Sequence, residues 1–171
     1  MGKGVISSPC VRRRLKPGQA LKKFPMMGFD VAKRTATIYD EGTEYFTGTT
    51  LAGIGQAVVG VMQHPQETTN RFVEVLSIKT CQNELLDAFQ IATAQEWEVV
   101  RASTKELKAR GEEKFKSGIA GWVLDLVVAQ LYDQRKARCV VAPTRDESDA
   151  PLLGVVEESA EQIVRQALGM D

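Results

Sequence analysis

Thr35-Ala36-Thr37-Ile38-Tyr39-Asp40-Glu41-Gly42-Thr43-Glu44-Tyr45-Phe46-Thr47 is followed within three residues by Thr50-Leu51-Ala52-Gly53-Ile54-Gly55, and the change of period between the two decides the fold class. The first segment is β-branched and aromatic on both sides of Asp40-Glu41-Gly42. It predicts two strands, 35–39 and 44–47, joined as a hairpin through a glycine-containing turn. From Thr50 onward Leu51, Ile54, Val58, Val61 and Met62 recur at three- and four-residue steps. That is helical spacing, with Thr50 as N-cap and His64-Pro65 as the stop. The small residues Ala52, Gly53, Gly55, Ala57 and Gly60 interleave with the stripe, so a neighbouring element can approach this helix closely.

Working outward, the alternation continues. Residues 71–78 (R-F-V-E-V-L-S-I) predict a strand by their partial period of two. Thr80 then caps a helix through Leu85, Leu86, Ala88, Phe89 and Ala92. Trp97 to Arg101 predicts a further strand. Ser103-Thr104-Lys105-Glu106 fits a capping box, opening a charged helix that ends near Gly111 or continues to Lys116. Gly121 to Tyr132 is apolar on most faces and predicts a buried helix, and Arg145 to Ala150 a polar loop. Glu157 to Leu168 closes the chain as an amphipathic helix with Ile163, Val164, Ala167 and Leu168 inward. The class is mixed α/β.

The chain has 171 residues, 43% apolar and 26% charged, enough for one packed core and unlike a collagenous or disordered polypeptide. Its net charge is zero, from 22 basic and 22 acidic residues. The zero is a cancellation. Residues 1–23 hold seven basic residues (Lys3, Arg12, Arg13, Arg14, Lys16, Lys22 and Lys23) and no acidic one, which leaves residues 24–171 at −7. The expected organisation is a disordered basic arm, 1–23, on an acidic body, 24–171. The arm has the composition of a mitochondrial transit peptide, but Pro9, Pro17 and Gly18 break the helix such a peptide needs. A cytoplasmic protein is the expectation. Three widely separated cysteines fit a reducing compartment, and no apolar run approaches the ~20 residues that span a bilayer.

No complete catalytic apparatus is visible from motifs. Gly53-Ile54-Gly55 suggests a dinucleotide turn, but the third glycine of that fingerprint falls on Val58, and tight helix packing explains the glycines better. No P-loop and no G-x-S-x-G elbow occur. A single histidine, His64, and the absence of Cys-x-x-Cys leave no basis for a zinc site. Arg12-Arg13-Arg14 lacks an aromatic stacker, so neither nucleic acid nor membrane is expected as a partner. Phe24-Pro25-Met26-Met27-Gly28-Phe29 is an apolar run outside any clear period. Its Met26, Met27 and Phe29 suit an adaptable small-molecule pocket, and equally a buried connection.

Read as one string, residues 28–168 resemble the fungal isoflavone-reductase-like branch of the NmrA-like oxidoreductases, which are atypical short-chain dehydrogenases. The resemblance runs through Gly28 to Val75, the Thr80-Cys81-Gln82-Asn83-Glu84-Leu85-Leu86 helix opening, Trp97-Glu98-Val99 with Ser103-Thr104, and Leu152-Leu153-Gly154 with its acidic terminal helix. It implies an NADPH-dependent reductase lineage acting on a small aromatic or polyketide-like metabolite, with a role in secondary metabolism. It also implies an N-terminal Rossmann domain holding NADP on a glycine-rich loop, with a catalytic lysine in some branches. This chain matches the later half, the substrate-lobe portion of that Rossmann-type fold. The cofactor fingerprint and the lysine have no counterpart in it, so no catalytic or cofactor-binding residue is assigned. Strands 35–39 and 71–78 would then present open edges, through which the chain could associate with itself or with a full-length relative. The alternative reading is a non-catalytic, truncated homologue that binds a metabolite or such a partner.

Overall fold

The computed structural model describes residues 27–134, 136–137 and 139–170. The basic arm and Met26 lie outside the described residues. In chain order the elements are β1 (Phe29–Asp30), β2 (Thr35–Tyr39), β3 (Phe46–Gly48), α1 (Leu51–Gln63), α2 (Pro65–Thr68), β4 (Ile78–Thr80), α3 (Gln82–Thr93), β5 (Glu98–Ala102), α4 (Thr104–Lys116), α5 (Trp122–Tyr132) and α6 (Ala160–Leu168), with a 3-10 turn at Arg145–Glu147. The mixed α/β class is as the alternation of periods implied.

The strands do not pair as the sequence suggested. β2 is central in a three-stranded sheet of order β1-β2-β5, antiparallel to β1 and parallel to β5, with Tyr39 opposite Ala102. β3 pairs instead with β4, Phe46 opposite Thr80. The expected hairpin is absent because its turn is held by other elements. Asp40 caps α4, its carboxylate accepting from the Thr104 backbone N–H at 3.1 Å and the Thr104 hydroxyl at 2.5 Å. Asn83 of α3 donates to the carbonyls of Gly42 and Glu41 at 3.1 Å each. Most of the strand expected at 71–78 is extended chain without a ladder. At Arg71 and Glu74 its polar groups go to Asp149, which pairs with Arg71 at 2.8 Å, accepts from the Glu74 N–H at 2.9 Å and donates its own N–H to the Glu74 carbonyl at 2.8 Å; the Val75 carbonyl accepts from the Thr49 hydroxyl, and the Ser77 N–H donates to the Gly48 carbonyl. Strand 35–39 is therefore central and not an open edge. β5 is an edge of the three-stranded sheet, and its Val99 and Val100 remain 42% and 43% exposed.

One side of the three-stranded sheet carries the main core. Ala36 and Ile38 are fully buried beneath Ala88, Phe89 and Ala92 of α3, Trp97, and Val164 of α6. Phe29, Phe89 and Trp97 form an aromatic cluster with centroids 4.8 to 6.4 Å apart. Burial of each such side chain is worth about 1.5–3 kcal/mol. α6 is fixed at its start by a capping box in which Ser159 and Gln162 bond reciprocally. A second, smaller core joins Ala57 of α1 to Ala150, Leu153 and Val155.

α1 turns its small residues inward. Gly53, Ala57 and Gly60 are the buried positions, and a Cβ on Gly60 would sit 2.5 Å from the Leu153 carbonyl oxygen. The close approach expected from the glycines is there. The large apolar residues of the same helix face solvent: Leu51 is 85% exposed and Met62 77%. α5 also departs from expectation, with Val123, Leu124 and Val127 exposed and Ala129 and Tyr132 buried.

Candidate functional site at the stacked tyrosines

Tyr39 is the last residue of β2, and alternation points its side chain away from Ile38 and the main core. α4 and α5 form an antiparallel pair beside it. Gly111 permits that packing: a Cβ there would meet the Leu126 side chain at 2.8 Å. α5 delivers Tyr132 against Tyr39, the rings stacked at 5.9 Å and 15°, with Phe46 of β3 edge-on to Tyr132 at 5.8 Å. Tyr132 is 1% exposed, and its hydroxyl donates to the Met27 carbonyl at 3.3 Å.

Next to the stack, Asp125 of α5 accepts from Arg110 at 3.1 and 3.2 Å and from Lys114 at 2.7 Å, both on α4. Burial pushes the Asp125 carboxyl up, but the hydrogen bonds from Arg110 and Lys114 outweigh it and hold the carboxyl below its ordinary value. Burial raises the Tyr39 phenol above its ordinary value, and the Arg110 guanidinium beside it offsets only part of that. Burial raises the Tyr132 phenol strongly as well, with the neighbouring Tyr39 adding to it. Both phenols are therefore protonated at neutral pH. The cluster offers a phenolic donor and two cations fixed by one carboxylate, a set that suits the oxygen of a carbonyl or carboxylate. Its structural effect is to fasten α4 to α5.

Of the sequence candidates, Met26 lies outside the described residues. Met27 is half-buried with φ +53°, its carbonyl accepting from Tyr132 and from Gln82 Nε2, each at 3.3 Å. Phe29 is 3% exposed, inside the aromatic core. The structure thus brings Met27 to the tyrosine stack and sets Phe29 apart from it. A shallow groove of about 250 Å³ between α1 and α6, lined by Gln56, Glu158, Gln162 and Gln166 among others, touches neither. Tyr39, Tyr132, Arg110, Lys114 and Asp125 were not singled out from sequence. The available signal was Asp125, a lone charge inside an apolar helix, which has to be paired where it is buried.

Of the helix starts that could take a dinucleotide's pyrophosphate, those of α1, α4 and α6 are capped by side chains, whereas those of α3 and α5 have no side-chain cap. Thr50 caps α1 while donating to the Glu158 carboxylate at 2.5 Å. Asp40 closes α4. At α3, Gln82 is fully buried, accepting from the Tyr39 N–H at 2.8 Å and donating to the Thr37 carbonyl at 3.1 Å, while Thr80 and Tyr45 both donate to Glu84. The Thr80-Cys81-Gln82-Asn83-Glu84 run is thus a clasp joining α3 to β2, to the turn after β2 and to Met27 ahead of β1. Gly53 and Gly55 lie within α1, not in a turn. Among the described residues no group of His, Cys, Asp and Glu could hold a metal ion, and no helix is long and apolar enough to cross a membrane.

No family model matches the chain, and no solved structure matches it. Oxidoreductase poxI from Penicillium oxalicum is 62% identical over 149 residues, which is 87% of this chain and 48% of that protein. Oxidoreductase aprR from Aspergillus flavus is 32% identical over 92 residues, 54% of this chain and 31% of that one. The chain spans about half the length of poxI and less of aprR, and most of it is homologous to fungal proteins named oxidoreductases.

Proposed function

We propose that this chain is the substrate-side lobe of an NmrA-like, NADPH-dependent reductase of fungal secondary metabolism, acting in the cytosol on a small aromatic or polyketide-like metabolite. The observation that carries the reading is 62% identity to one half of a protein named an oxidoreductase. In this reading NADPH is held by the other half of a Rossmann-type fold, because Gly53 and Gly55, the nearest approach to its glycine fingerprint, lie within α1 and not in a turn. NADPH would supply the hydride. This chain's Tyr39 donates a hydrogen bond to the substrate carbonyl oxygen, and Arg110 and Lys114 hold that end of the site positive. Met27, with Met26 beside it in sequence, contributes apolar wall, and Phe29 anchors that segment from the core.

A second reading, a non-catalytic homologue that binds the metabolite or a full-length partner, draws support from the open β5 edge with Val99 and Val100 exposed. A chimera separates the two. Residues 27–170 of this chain replace the aligned half of the Penicillium oxalicum relative, and NADPH oxidation is followed over a panel of aromatic ketones and quinones. The first reading expects turnover within about tenfold of the relative's, and a loss of at least about tenfold in kcat for Tyr39→Phe, the removal of one transition-state donor. A chimera that melts cooperatively and binds NADPH but reduces nothing that the relative reduces contradicts it and favours the second.

A further inference from the structure

α1 runs Leu51-Ala52-Gly53-Ile54-Gly55-Gln56-Ala57-Val58-Val59-Gly60-Val61-Met62-Gln63 and contains no charged residue. Leu51, Ile54, Val58 and Met62 follow one another at steps of three and four, so they line one face about 16 Å long. They are 85%, 48%, 56% and 77% exposed, and Val59 at 53% flanks them. The opposite face is fully used, with Gly53 near Ser77 and Gly60 against Leu153. A helix that puts Gly53, Ala57 and Gly60 in the core and its long aliphatic side chains in water has the pattern of an element packed on both sides, and an apolar face of this kind marks an interaction surface.

We infer that this ridge of α1 is the docking surface for the other half of the oxidoreductase fold, an α/β layer presenting an uncharged apolar face, carried on the same polypeptide or supplied in trans. The inference rests on the functional reading above and names the surface that reading needs. Two observations choose this occupant over a second copy of the chain. The Penicillium oxalicum relative is about twice the length of the segment it shares with this chain, so it has enough chain outside that segment to form such a layer. A pair of α1 ridges would bury on the order of 400 Å² per copy, about half of what a stable homodimer needs.

The test places charge on the ridge. Val58→Glu with Met62→Glu in this chain should leave the thermal midpoint within about 2 °C and lower the fluorescence of a bound apolar dye at least twofold. The same pair at the aligned positions of the full-length Penicillium oxalicum relative should lower its midpoint by more than 10 °C. An unchanged midpoint in the relative overturns the inference. So does a dimer of this chain in sedimentation that the double substitution dissociates, because the occupant is then a second copy. NADPH binding by the unsubstituted relative is measured in parallel. Its failure counts against the functional reading, and it leaves the docking result standing on the melting data alone.

Discussion

Gln82 is fully buried and uses its amide on the Tyr39 N–H and on the Thr37 and Met27 carbonyls. Gln82→Leu keeps the volume but takes the side-chain partner from the Tyr39 N–H and the Thr37 carbonyl, which should cost about 2–3 kcal/mol, read as a lower midpoint in urea unfolding. The glycines of α1 give a sharper pair. Gly60→Ala drives a methyl into Leu153 and should destabilise by about 1–3 kcal/mol. Gly55→Ala meets nothing within 4 Å and should stabilise by up to about 1 kcal/mol through helix propensity. Thermal melts of the two variants should move in opposite directions. At this scale the sequence was legible where a residue acts locally: Thr50 caps α1 as its spacing implied. It was opaque where one side chain reaches across the fold. Nothing local to Gln82 says that it will bond Tyr39, 43 residues earlier.

Between elements, the α4–α5 pair depends on Asp125. Its carboxyl titrates lower in the folded chain than the ordinary 3.8, so the unfolded chain takes up the proton first as pH falls. The stabilisation is therefore fully present above about pH 4 and is lost as pH drops through the folded value. Asp125→Asn should cost about 1 kcal/mol at pH 7 and progressively less as the pH falls through the folded value. The difference between wild-type and variant melts across that range checks it. Element types were readable from period, whereas pairing partners were not. The turn at Asp40-Glu41-Gly42 looks like a hairpin, yet Asn83 and Thr104 bind it and draw β2 and β3 into separate sheets. α1 shows a related limit. Its apolar stripe was plain in the sequence, but periodicity identifies a face without saying what covers it.

At the scale of the molecule, the open β5 edge and the bare α1 ridge are the exposed apolar features on which the proposed docking rests. Val100→Lys, on the exposed edge strand, should reduce self-association at high concentration without lowering the thermal midpoint by more than about 2 °C, because edge lysines block strand-to-strand pairing. Light scattering and melting measure the two effects. Hydrogen exchange, compared between this chain and the full-length Penicillium oxalicum relative, tests the central claim most directly. With α3 as the internal reference, matching within about threefold, the helix aligned with Leu51–Gln63 should exchange at least about tenfold more slowly in the relative, where the other half covers it. Equal protection of that helix in both proteins would contradict the account.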